Sequence, residues 1–121
     1  MDEIQSTAVV LHFRDGRTER EASTPEIDLD GQCVIAGGLE VPFDELKAVF
    51  FRREPGSADL QKPAGGSLVS VEFADGEVIR GVAHDYKPVA AGFFLVPLEE
   101  SRLERVFVVS SAVVSIEVEK L

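Results

Sequence analysis

The chain has 121 residues, of which 45% are hydrophobic, and this proportion predicts a folded protein and excludes intrinsic disorder. Its 22 acidic and 12 basic residues give a formal net charge of -10, and both the first and the second half are acidic. Nucleic acids and anionic membranes are bound mainly through Lys and Arg, so the charge argues against both as partners.

Alternation of apolar and polar residues dominates the chain. The runs at 9–13, 69–73 and 114–118 each place their large apolar side chains two residues apart. Side chains at this spacing share one face of a strand, so each run predicts a β-strand with a core side. No stretch shows a sustained helical period, and the sequence therefore predicts an all-β fold.

The first two runs are also alike. AVVLHFRDGRTER at 8–20 aligns with LVSVEFADGEVIR at 68–80, which places Asp15-Gly16 on Asp75-Gly76. Asp-Gly between alternating runs predicts a two-residue hairpin turn, because both residues can take a positive φ. Each half is thus expected to open with a β-hairpin.

The similarity continues at a spacing of 66 residues, where Leu29 falls on Leu95 and Phe50 on Ile116. Six additional residues are then required in the second half, within 81–92. We interpret the chain as two tandem small SH3-like or Sm-like barrel units from an internal duplication; chance similarity among β-rich sequences is the alternative. The predicted first unit is 1–56, the linker 57–66 and the second unit 67–121.

Several runs resemble those of an uncharacterised family of bacterial domains. They are DELKAVFF at 44–51, VEFADGEVIRG at 71–81 and GFFLVP at 92–97. The resemblance implies a domain of unknown function that occurs alone or beside PilZ-type and receiver-type signalling modules. It implies a bacterial signalling context and no particular chemistry.

Residue patterns for catalysis, metals and cofactors were not found. Cys33 is the single cysteine, which excludes an internal disulfide and a cysteine-based metal site. A calcium loop starting at Asp28 requires glycine and glutamate where Cys33 and Leu39 stand. We therefore expect no enzyme activity, no catalytic or metal-binding residues and no cofactor.

The chain ends and apolar stretches bear on location. The N-terminus begins with acids and lacks the positive region of a secretory signal. The longest apolar stretch, 89–98, is too short to span a bilayer. We expect a cytoplasmic protein with no membrane partner.

The inserted loop of the second half is the first candidate binding site. It concentrates His84, Asp85, Tyr86 and Lys87, and loops carry function more often than strands do. His84 beside Asp85 also suggests an oriented base, but no nucleophile motif accompanies the pair. We interpret these four residues as a binding site in a loop.

Outward apolar residues form the second candidate. With Phe50 and Ile116 facing their own barrels, Val49 and Phe51 would point outward in the first unit. Phe94 and Val96 would do so in the second. Exposed apolar patches usually mark a contact, so we expect these four residues to form an interface that joins the two barrels, or alternatively a homodimer surface.

The sequence thus predicts a non-catalytic binding or interaction module, with a protein partner and an unknown ligand, in bacterial signalling or regulation. SH3-like units offer sheet edges and grooves that take peptides or other domains. The alternative is a structural protein that associates with itself as a homodimer through its outer apolar faces.

Overall fold

The computed structural model describes residues 9–22, 24–52, 66–84, 86–87, 90–98 and 103–120, which form strands joined by short turns. In these ranges the first half contains β1 (Val9–Phe13), β2 (Thr18–Glu21), β3 (Glu26–Asp28), β4 (Cys33–Ala36), β5 (Leu39–Pro42) and β6 (Leu46–Arg52). The second half contains β7 (Ser67–Phe73), β8 (Val78–Ala83), β9 (Gly92–Pro97), β10 (Leu103–Val109) and β11 (Val113–Lys120). The prediction of an all-β fold is confirmed.

One short 3-10 helix precedes the last strand of each half, at Phe43–Glu45 and at Ser110–Ala112. Each has only three residues, because the next residue is already extended. In the described residues no helix is long and apolar enough to cross a membrane.

Eight of the described strands form one antiparallel sheet in the order β11-β7-β8-β9-β10-β6-β1-β2, and the other three form a small sheet, β3-β4-β5. The two halves join inside the large sheet, where β6 pairs with β10. The sheet does not close into the predicted barrels, because β10 pairs with β6 rather than with β11 of its own half. Of the predicted linker 57–66, only Gly66 is among the described residues.

The middle strands of the large sheet are buried on both faces. Residues 46–49 of β6 and 106–109 of β10 are all buried. Strands β1 and β7 instead show the alternating burial that the sequence predicts. The hydrophobic core therefore extends to both sides of β6 and β10, where the two halves of the chain meet.

The two halves repeat one strand register. Leu11 of β1 lies opposite Val49 of β6, and Val71 of β7 lies opposite Ile116 of β11. The last strands therefore correspond at a spacing of 67 residues, so the predicted match of Phe50 with Ile116 is wrong by one residue. A slip of one residue turns a strand over. Val49 accordingly faces the core and is 0% exposed, instead of pointing outward.

The Asp-Gly turns also differ from the prediction. The N–H of Gly16 donates to the carbonyl of Phe13 at 3.1 Å, and the N–H of Phe13 donates to the carbonyl of Arg17 at 2.9 Å. Gly16 has φ of 96°, whereas Asp15 keeps a negative φ. These features define a type I turn followed by a glycine bulge. The Asp15 carboxylate accepts the Arg17 N–H at 2.9 Å and stabilises the turn. The second half repeats both backbone hydrogen bonds.

Candidate interaction site

A shallow cleft lies where the turns of the two halves meet, beside the start of β11. It is lined by Arg14, Lys47, Phe73, Ala74, Asp75, Ser111, Ala112 and Val114. Lys47 and Val114 occupy the same position in the two halves, because each is the additional residue of a β-bulge. Bulges redirect side chains and are common beside functional sites. A feature that both halves share therefore builds this cleft.

Arg14 connects the two halves at one side of the cleft. Its Nε donates to the carbonyl of Leu46 at 2.9 Å, and its Nη2 donates to the carbonyl of Phe43 at 3.0 Å. Nη2 also donates to the Ser111 hydroxyl of the second half. In the described residues its partners are neutral oxygens, so its positive charge is not neutralised by a carboxylate.

Lys47 is the buried cation of the cleft. Its Nζ donates to Oδ2 of Asp75 at 2.8 Å and to Glu77, and it lies 4.9 Å from the centroid of the Phe73 ring. Strands β9 and β10 separate β6 from the β7–β8 turn within the sheet, so this contact requires the sheet to curve back on itself.

Burial and ion pairing act in opposite directions on Lys47. Burial lowers its pKa, but the hydrogen bonds to Asp75 and Glu77 outweigh burial and leave the pKa raised above 10.5. The same bond lowers the pKa of Asp75 below 3.8. The ion pair therefore contributes its full stabilisation between pH 3.8 and pH 10.5, the ordinary pKa values of the two groups. This contribution is lost as Lys47 deprotonates above pH 10.5 and as Asp75 protonates below pH 3.8.

His12 lies next to this ion-pair cluster. Its ring stacks on Phe50, with centroids 4.1 Å apart. Burial lowers the pKa of His12, and the positive charge of Lys47 lowers it further, whereas Glu77 and Asp75 oppose the shift. His12 is therefore neutral in the folded protein at neutral pH.

Acidification is expected to destabilise the protein through His12. Its folded pKa lies below 6.5, so the unfolded state takes up the proton first as the pH falls through 6.5. Denaturant unfolding at about pH 7.5 and about pH 5.5 should show a larger loss of stability in the wild type than in His12→Gln. Equal losses in the two proteins would contradict this prediction.

Strand β11 is the open edge of the large sheet. In the part of the chain that the structure describes, seven of its eight residues pair with β7, the bulge residue Val114 does not, and no strand pairs with its other side. Val114 is 62% exposed and Val118 is 44% exposed along this edge. The opposite edge, β2, has four residues with the sequence TERE, and short charged strands resist further pairing. Of the two edges, β11 is the one suited to accept another strand.

The structure separates the predicted loop site from the cleft. Tyr86 is half-buried and packs edge-on against Phe93, with ring centroids 4.9 Å apart. His84 and Lys87 are exposed, and Asp85 lies outside the described residues. None of the described loop residues lines the cleft. Tyr86 thus packs against the core, and the loop stays a predicted binding site.

The predicted apolar interface lies within a single sheet. The rings of Phe51 and Phe94 have centroids 5.9 Å apart, and the guanidinium carbon of Arg105 lies 4.5 Å from each. Phe51 lies on β6 and Phe94 on β9, the two strands that flank β10, and Arg105 lies on β10 between them. Val49 and Phe51 are buried, and Phe94 and Val96 are half-buried.

Sequence reasoning missed the residues of the cleft. Neither Arg14 nor Lys47 was singled out from the sequence. The Asp-Gly turns and the two last strands were recognised, but the bulges that redirect Lys47 and Val114 have no local sequence signal. In the described residues, no three side chains of His, Cys, Asp or Glu are grouped closely enough to hold a metal ion.

Comparison with protein families matches residues 12–120 to a family of unknown function, DUF6982. The match covers most of the chain, so the chain belongs to this family. Comparison with curated proteins and with solved structures gave no match.

Proposed function

We propose that this chain, as a member of a family whose function is unknown, is a non-catalytic module that binds proteins in bacterial signalling or regulation. The observation that carries the proposal is the β11 edge with its two exposed valines, Val114 and Val118. Val114 also lines the cleft, which contains an arginine without a carboxylate partner in the described residues. Extended peptides bind such edges by adding a strand, and neighbouring pockets provide specificity. The signalling context rests on the sequence resemblance alone.

We further propose that the two halves are diverged copies of one SH3-like unit. The last strand of each half returns to pair with its first strand, through β1–β6 and β7–β11. Each half repeats the same turn, 3-10 helix and bulge. These shared features support duplication more strongly than the sequence similarity does. In this proposal the joined sheet leaves β11 as the functional edge.

Selection from a random peptide display library tests the module. We expect the chain to select extended peptides, and the double variant Val114→Lys/Val118→Lys to bind them at least about tenfold more weakly, because lysine on an edge strand opposes pairing. Both valines are exposed, so the variant should fold normally. Leu39→Lys is the control for lysine at an exposed apolar position away from β11, because Leu39 is 69% exposed on β5 of the other sheet.

Two results would contradict the proposal. One is that no peptide is selected; the other is that the β11 variant and the Leu39→Lys control bind the selected peptides equally well. Light scattering across a concentration series should report a monomer. A dimer that Val114→Lys/Val118→Lys dissociates would favour self-association instead.

A further inference from the structure

The two sides of β11 differ in chemistry. Ile116 and Val118 lie opposite the buried Val71 and Val69 of β7, so this side of the strand is apolar. Glu117 alternates with them and is exposed on the outer side. A strand paired with β11 therefore meets apolar and acidic positions in alternation.

The outer side is strongly acidic near the edge. Ser115 lies opposite Glu72 of β7, and Glu117 and Glu119 follow at the next outward positions. All three glutamates are exposed. Of the nearby cations, Arg80 lies on β8, where Ser70 of β7 separates it from Glu117, and Lys120 is the last residue of β11. The edge itself thus presents negative charge.

We propose that the partner of the β11 edge is an extended peptide in which basic residues alternate with aliphatic or β-branched residues; this inference rests on the proposed function. Basic side chains would lie beside Glu117 and Glu119, and apolar side chains would cover Val114 and Val118. Opposite charges and apolar pairs across neighbouring strands both stabilise a sheet. The charge of the whole chain, -10, attracts the same class of peptide.

A second copy of the chain fits the edge less well. Antiparallel pairing of two β11 strands with Val114 opposite Val118 would place Ile116 opposite itself and Glu117 opposite Ser115. The two Glu117 side chains would then be diagonal neighbours on one face, which is repulsive. Two chains that each carry a net charge of -10 also repel one another. Charge therefore favours a basic peptide over self-pairing.

Three synthetic peptides of equal length test the inference. One alternates lysine and valine, one alternates glutamate and valine, and one has the composition of the first with the lysines and valines in separate blocks. Fluorescence polarisation at about 0.15 M salt should show the alternating basic peptide binding at least about tenfold more tightly than the other two. Equal binding of the alternating and block peptides would rule out strand addition.

Charge reversal locates the interaction. Glu117→Lys/Glu119→Lys should reverse the preference, so that the glutamate–valine peptide binds more tightly. Glu26→Lys/Glu40→Lys is the matched control, because it changes the net charge equally at exposed positions of the small sheet. If both variants change the preference equally, the whole-chain charge is responsible and the proposed site is wrong.

The display experiment distinguishes a failure of the proposed peptide chemistry from a failure of the proposed binding module. If the selected peptides bind at β11 but are neutral or acidic, the partner chemistry proposed here fails and the binding module stands. If no peptide, selected or synthetic, depends on Val114 and Val118, the binding module fails as well.

Discussion

Gly92→Ala is expected to lower the free energy of unfolding by about 3 kcal/mol, the upper end of the usual cost of overpacking a core. A Cβ at Gly92 would lie 2.2 Å from Cζ of Phe107 and 2.8 Å from the carbonyl oxygen of Val108. Neither atom can move freely, because Phe107 is fully buried and Val108 belongs to the β9–β10 ladder. Denaturant unfolding followed by circular dichroism measures the loss.

Gly16→Ala is the control for this substitution. Gly16 has φ of 96° and nothing within 4 Å of an added Cβ, so alanine there carries only backbone strain of about 1 kcal/mol. The smaller side chain introduced by Phe107→Leu should reduce the cost of Gly92→Ala in a double-mutant cycle. Additive effects of Gly92→Ala and Phe107→Leu would show that steric overlap with this ring is not the cause.

Phe107→Ala is expected to cost about 3–5 kcal/mol, a large part of the stability of a domain of this size. Its ring lies opposite Val49 of the first half and contacts Phe43 and Phe94, with centroids 5.5 Å and 5.2 Å away. Truncation therefore removes contacts to both halves and leaves a cavity between them. The alanine variant should still permit the β6–β10 ladder to form, so the folded state persists with a lower midpoint.

Probes in the two halves test whether this core is shared. Tyr86 is the single tyrosine and the chain has no tryptophan, so its fluorescence reports on the second half. The thiol of Cys33, which is half-buried, reports on the first half through its labelling rate. Both probes should follow one transition in the wild type and shift together in Phe107→Ala. A shift confined to Tyr86 would contradict a shared core.

Strands with one polar face were predictable from the sequence. Alternation in β1 and β7 correctly identified which residues face the core, because only one orientation of each strand buries its apolar residues. Strand β6 is apolar at every position from Ala48 to Phe51, so alternation does not indicate which of its residues face the core. The one-residue error that placed Phe50 on Ile116 follows from this, because a continuous apolar run accepts either alignment equally well.

The cleft was beyond prediction for a different reason. Lys47 meets Asp75 across a separation of 28 residues, and the contact depends on the curvature of a sheet built from both halves. Arg14 reaches Ser111 across 97 residues for the same reason. Local pattern correctly identified the Asp-Gly turns as turns, but it carried no information on what their side chains approach.

The β6–β10 ladder constrains how the chain can evolve. A gene that encoded only residues 1–52 would leave β6 with an unpaired edge whose side chains are almost all buried in the intact protein. Bare apolar edges of this kind aggregate or recruit another chain. The first half encoded alone would therefore need another strand to cover β6. Substitutions in β6 must remain compatible with the residues of β10, so we expect the two halves to change together.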